Sequence, residues 1–176
     1  MSNDVELLGR QVGWEQRSYW RNPTAAGFSF VFPMLLLVIF SSAFGNTKVS
    51  DLGNINYTQY YIPAIVAFGI MGATFTNLAI NVTFKREAGT LKRIKGSPVP
   101  AWIYLGGIIG NSIVVAILLT ALVVAFGIVV YGVSIPGNIA ALILTLVVGA
   151  SSFCALGLAL TTIVPNADAA PATSTW

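Results

Sequence analysis

Residues 84–98 read Phe-Lys-Arg-Glu-Ala-Gly-Thr-Leu-Lys-Arg-Ile-Lys-Gly-Ser-Pro, and they decide how the rest of the chain is arranged. Five of the nine Lys and Arg residues fall here: Lys85, Arg86, Lys92, Arg93 and Lys95. Glu87 is the one acid among them, and long apolar runs lie on both sides. A Lys or Arg at the centre of a bilayer costs roughly 3 kcal/mol on insertion scales, so this segment belongs in water at a membrane face. The excess of positive charge assigns that face to the cytoplasm. The apolar helix before it can continue to about Ala88, after which Gly89 permits a turn. Thr90 can cap a short second helix. Leu91 and Ile94 share one side of that helix at i, i+3. Lys92, Arg93 and Lys95 suit its C-terminal dipole, and Gly96, Ser97 and Pro98 stop it.

Composition agrees with a membrane setting. The chain has 176 residues, 56% of them hydrophobic and 9% charged, with a mean hydropathy of +0.80. Soluble domains carry about 25% charged residues. The net charge of +3 comes from cations beside apolar runs, a pattern that does not suggest nucleic-acid binding. A single cysteine, Cys154, excludes an intrachain disulfide. The absence of histidine removes His-dependent triads and the usual zinc sites, so neither a catalytic residue nor a metal site is expected.

Working outward, four apolar runs are long enough to cross a bilayer: about 25–44, 60–84, 102–130 and 139–164. Before them, residues 1–22 place Val5, Leu8, Val12 and Tyr19 near one helical side and Arg10, Arg17 and Arg21 on another. With Trp14 and Trp20 added, this is an amphipathic interfacial helix. Arg21-Asn22-Pro23 ends it, because proline disfavours helix in the residue before it. The fold class is therefore all-α: a polytopic membrane protein with four transmembrane helices behind an interfacial helix. Residues 23–164 form the membrane domain, 85–101 its cytoplasmic loop, and 165–176 a polar tail or loop at the same face. The segment 45–59 has few cations and lies outside, as does the uncharged turn at 131–138.

Polar and small residues inside the spans mark contacts. Gly69, Gly72 and Ala73 are places for a close neighbour. Thr74, Asn77 and Asn81, at i, i+3, i+7, can line one face, either a wetted substrate path or a row of bonds between helices. Gly106-x-x-x-Gly110, with Asn111 beside it, is a small-xxx-small pattern for close helix contact.

Arg86-Glu87-Ala88-Gly89-Thr90-Leu91, followed by Ser97-Pro98, resembles the first cytoplasmic loop of type-2 ABC exporter permeases of the daunorubicin-resistance-like group. The amphipathic start closed by Arg-Asn-Pro and the Tyr60-Tyr61-Ile62-Pro63 run are similar to the same family, although Ala64 stands where the family usually has glycine. The resemblance implies that the loop is a coupling helix docking on a separate ATPase subunit. Arg86, Glu87, Gly89, Thr90, Leu91 and Ile94 would carry the coupling. It implies a second permease copy, residence in the cell membrane with a cytoplasmic N-terminus, and export of a hydrophobic drug-like or lipid substrate. The family normally has six spans, so the chain is expected to lack the last two.

The residues alone point the same way. No ionisable side chain is expected at membrane depth, which leaves no proton relay. No Gly-x-x-x-x-Gly-Lys-Ser/Thr phosphate loop is present, so ATP and its magnesium would be held by another polypeptide. This chain itself is expected to take no cofactor and not to be an enzyme. The alternative is a membrane scaffold that does not transport and uses the same loop to hold a soluble partner.

Overall fold

A computed structural model describes residues 2–44, 48–49, 55–87, 89, 100–134 and 137–163. Its elements are α1 (Ser2–Trp20), α2 (Pro23–Phe44), β1 (Lys48–Val49), β2 (Ile55–Asn56) and α3 (Tyr57–Met71), then a π-helical turn (Gly72–Thr76), α4 (Asn77–Glu87), α5 (Ala101–Tyr131) and α6 (Ile139–Ile163). The fold is all-α, with four helices long and apolar enough to cross a membrane: Ala26–Phe44, Tyr57–Arg86, Trp102–Tyr131 and Ile139–Thr161. The segment expected to be plain loop before the second span contains a two-residue antiparallel ladder, in which Lys48 pairs with Asn56 and Val49 with Ile55. The helix then starts at Tyr57, three residues earlier than its apolar run suggests.

The break after α1 follows from Pro23. Proline occupies the first position of α2, where a missing N–H costs nothing, and the Asn22 carbonyl accepts the first bond of the new helix from Ala26 N–H at 3.0 Å. At the far end of α5, Gly132 has φ 63° and closes the helix. Its N–H donates to the Ile128 carbonyl at 3.0 Å, and Val133 N–H to the Gly127 carbonyl at 3.3 Å. This is the glycine-dependent pattern that satisfies the last carbonyls of a helix. Gly132→Ala is therefore expected to lower stability by about 1 kcal/mol, because an L side chain is strained at this φ. A thermal melt in detergent reads the difference.

The second span, formed by α3, the π-helical turn and α4, is the centre of the bundle. Half of its most apolar window is buried, against 17% for α6. Leu37, Ile65, Val66, Ile70, Leu119 and Val123 form the main core, where α2, α3 and α5 meet. A second cluster joins Leu78 and Val82 of α4 to Tyr104 and Ile108 of α5 and Cys154 of α6. Lipid tails are as apolar as leucine, so close van der Waals fit rather than water exclusion holds such helices together. Glycine provides the fit. A Cβ on Gly69 would lie 2.9 Å from Leu119 Cδ2 and 3.1 Å from Pro33 Cγ. One on Gly157 would lie 3.0 Å from the Phe75 carbonyl oxygen. Two buried threonines in the spans bond back to their own helices: Thr83 Oγ1 donates to Ala79 O at 2.8 Å and Thr120 Oγ1 to Ala116 O at 2.8 Å. These hydroxyls thereby find acceptors without water, whereas Ser41 Oγ is buried with no partner among the described residues.

Candidate functional site

The end of α4 is where the chain converges. Its last turn carries Lys85 and Arg86, and these adjacent residues hold different neighbours. Lys85 Nζ donates to Glu15 Oε2 of α1 at 2.6 Å. The Lys85 ammonium also lies 5.7 Å from the centre of the Tyr104 ring of α5, a favourable cation–aromatic placement. The pair is partly shielded, with side chains 26% and 12% exposed. Arg86 Nη1 donates to the Thr161 carbonyl at 2.8 Å. Thr161 is in the last turn of α6, where carbonyls lack helical partners and the dipole attracts a cation. Arg86 therefore fastens α4 to the end of α6.

The remaining loop residues are placed less fully. Glu87 closes α4, its side chain lying outside the described part of the structure. Gly89 has φ 70°, with its N–H donating to the Arg86 carbonyl at 3.1 Å. That is the turn glycine permits. Thr90, Leu91 and Ile94, and with them the short basic helix, lie outside the described residues.

Helix α1 is seated by the glycines of α5. A Cβ on Gly106 would lie 3.1 Å from Leu8 Cδ1, and one on Gly110 would lie 2.7 Å from Val12 Cγ2. The small-xxx-small pattern thus receives the N-terminal helix rather than another span. Gly107, which the pattern does not single out, is the tightest of the three: a Cβ there would overlap Gln11 Cγ, with Gln11 Cβ at 3.0 Å. The consecutive Gly106-Gly107 pair was the available signal.

A cavity of about 560 Å³ lies between α1, α2, the second span and α5. Glu15 and Lys85 line it, together with Asn77, Asn81 and Asn111. Phe28, Phe32 and Phe68 supply apolar lining. Burial pushes the Tyr19 phenol above its ordinary value, with the Ser29 hydroxyl acting in the opposite direction, so Tyr19 lines the cavity as a neutral group.

Three expectations change here. Gly72 was expected to touch a close neighbour, but among the described residues no neighbouring helix comes within 4 Å of a Cβ built there, and it opens on the cavity. Thr74 does not share the cavity wall with Asn77 and Asn81. It is wholly buried, its hydroxyl donating to the Ile70 carbonyl at 2.7 Å. The cause is the π-helical turn at Gly72–Thr76, whose i to i+5 bonds widen the helix and break the α-helical spacing used to align the three residues. Among the described residues the asparagines are also not bonded between helices. Asn81 Nδ2 donates to the Asn77 backbone carbonyl at 2.8 Å and to Asn77 Oδ1. Asn111 Oδ1 is buried with no hydrogen-bond partner among the described residues.

The sequence pattern of the family described as ABC-2 type transporter matches residues 11–175. The chain belongs to that family. Curated relatives of this ABC-2 chain include "Probable multidrug ABC transporter permease YbhR" of Escherichia coli (strain K12), 28% identical over 115 residues, covering 62% of this chain and 30% of the relative. "Inner membrane transport permease YadH" of the same strain is 23% identical over 105 residues, covering 56% and 41%. A Bacillus subtilis (strain 168) protein named as a transport permease, YvfS, is 26% identical over 119 residues, covering 67% and 47%. The ABC-2 chain thus spans less than half the length of these relatives. No solved structure matches it.

Proposed function

We propose that this chain contributes the membrane permease part of an ATP-driven exporter, with ATP hydrolysed on a separate ABC ATPase that docks on residues 85–101. The observation that carries the reading is the Arg86–Leu91 motif at the end of the second span, in a chain of the ABC-2 family. The geometry supports it, because that end is fastened to α1 through Lys85 and to α6 through Arg86. A push on the loop from below would reach both helices. In this reading the chain lies in the cell membrane, and the loop and the N-terminus face the cytoplasm. Residues 1–22 are the interfacial helix, 23–164 the permease domain and 165–176 a cytoplasmic segment. A second permease copy completes the pathway, and the substrate is a hydrophobic drug-like molecule or lipid. The relative named as a multidrug permease favours that substrate class.

Glu87, Gly89, Thr90, Leu91 and Ile94 would form the contact: an acid for a cation of the ATPase, a turn, a cap and two apolar anchors. Glu87→Lys is expected to abolish the substrate-stimulated part of ATP hydrolysis in the co-purified complex, because it places like charges together. Basal hydrolysis by the ATPase should persist. Undiminished stimulation in this variant would refute the coupling assignment. An ATPase that binds the chain but never responds to substrate, in the unaltered complex, would favour the scaffold.

A further inference from the structure

The cavity beside the π-helical turn has a lining that selects a ligand. Its two charged residues, Glu15 and Lys85, neutralise each other at 2.6 Å. A charged headgroup would meet one of them as a like charge and would have to break their bond. Asn111 Oδ1 is a buried acceptor with no partner among the described residues, and such a group is stabilised by a donor. Asn77 and Asn81 of α4 add amide groups to the lining. The other part of the cavity is aromatic. Phe28 and Phe68 are 66% and 48% exposed, on helices that would have lipid around them. Access from the bilayer follows, without passage through water. The volume of about 560 Å³ lies within the roughly 300–1,000 Å³ of small-molecule sites.

We propose that this cavity binds one uncharged amphiphile from the membrane. Its hydroxyl- or amide-bearing head lies among Asn77, Asn81 and Asn111, and its apolar body among Phe28, Phe32 and Phe68. Gly72 keeps the space open, since nothing approaches within 4 Å of the position its Cβ would take. The existence of the site does not depend on export. That its occupant is cargo does rest on the exporter reading, so binding is measured without ATP or an ATPase.

The test uses the full chain in detergent and a monoacylglycerol bearing a photoreactive diazirine in its acyl chain. The fatty acid and the alkylamine with the same chain serve as charged comparators. The neutral probe is expected to label residues 28–33 and 68–81, and unlabelled monoacylglycerol to compete. Gly72→Leu fills the space without a clash at Cβ and should reduce labelling at least tenfold. Asn111→Leu should weaken binding about threefold to tenfold, the equivalent of one ordinary hydrogen bond. It should leave the melting temperature unchanged or higher, because it removes an unpaired buried acceptor. Equal labelling by all three probes, or labelling indifferent to Gly72→Leu, would overturn the site and leave the exporter reading standing. Head-selective labelling in a chain whose unaltered complex with the ATPase never responds to substrate would keep the site and remove the exporter.

Discussion

Replacing Gly107 by leucine is expected to lever α1 off α5. The position of a Cβ at Gly107 is already occupied by Gln11, with the Gln11 backbone carbon 3.4 Å away. Helix α1 has no side-chain movement available that would clear a whole leucine. Overpacking of this kind costs about 1–3 kcal/mol, and separation of the helices would also pull Glu15 from Lys85. Two readouts follow. Proteolysis within residues 1–22 should accelerate, because the segment is held by its contacts with α5. The stacking of Trp20 on Phe30, with ring centres 5.6 Å apart, should loosen and shift tryptophan emission. Gly106→Ala should be much milder, since only the flexible tip of Leu8 stands in the way, at 3.1 Å. Gly72→Leu is the size-matched control and should leave α1 in place. Indistinguishable proteolysis of Gly107→Leu and the parent chain would show that α1 is not seated as described.

The second large effect is a charge exchange. Glu15→Lys would set two ammonium groups against each other where the carboxylate and Lys85 now lie 2.6 Å apart. Breaking a fully buried pair costs about 3–5 kcal/mol. Here the side chains retain 12% and 26% exposure, which lowers the expectation to about 2–3 kcal/mol. Lys85→Glu alone should be comparably damaging and should in addition lose the ammonium above the Tyr104 ring. Combining both substitutions should recover most of the loss. The double-mutant cycle should return a coupling energy above the roughly 1 kcal/mol of exposed pairs. The recovery should weaken little with added salt, since shielded pairs are screened less. Additive losses would mean the pair contributes nothing to seating α1.

Much of the architecture was legible from apolar length alone. The scarcity of charge outside residues 84–98 and the N-terminal segment left few ways to place four apolar runs. Pro23 marked the first corner, because its effect is local and steric. Gly89 was legible for a similar reason. The π-helical turn was not. Nothing in Gly72-Ala73-Thr74-Phe75-Thr76 demands a wider turn. The turn comes from packing, with the backbone at Phe75 lying close against Gly157 of α6. Misaligning Thr74 with Asn77 and Asn81 was the direct result. The same limit explains Glu15 and Lys85. Lys85 was one of five cations in the loop and Glu15 stood out in no pattern, and only the docking of α1 along the glycines of α5 brings them into contact. Gly106 and Gly110 announced that some helix would come close, but a spacing pattern does not say which one.

The over-wide turn gives the second span something an unbroken helix lacks, a joint. In a regular helix each residue adds about 100° of rotation, and the whole rod turns together or not at all. If the wide turn tightened to an ordinary α-turn, everything from Asn77 to Arg86 would swing by about that angle while α3 kept its seat against α2 and α5. Torque applied at the Lys85–Arg86 end would then reappear as a change in which side chains line the cavity, with α3 and its neighbours standing still.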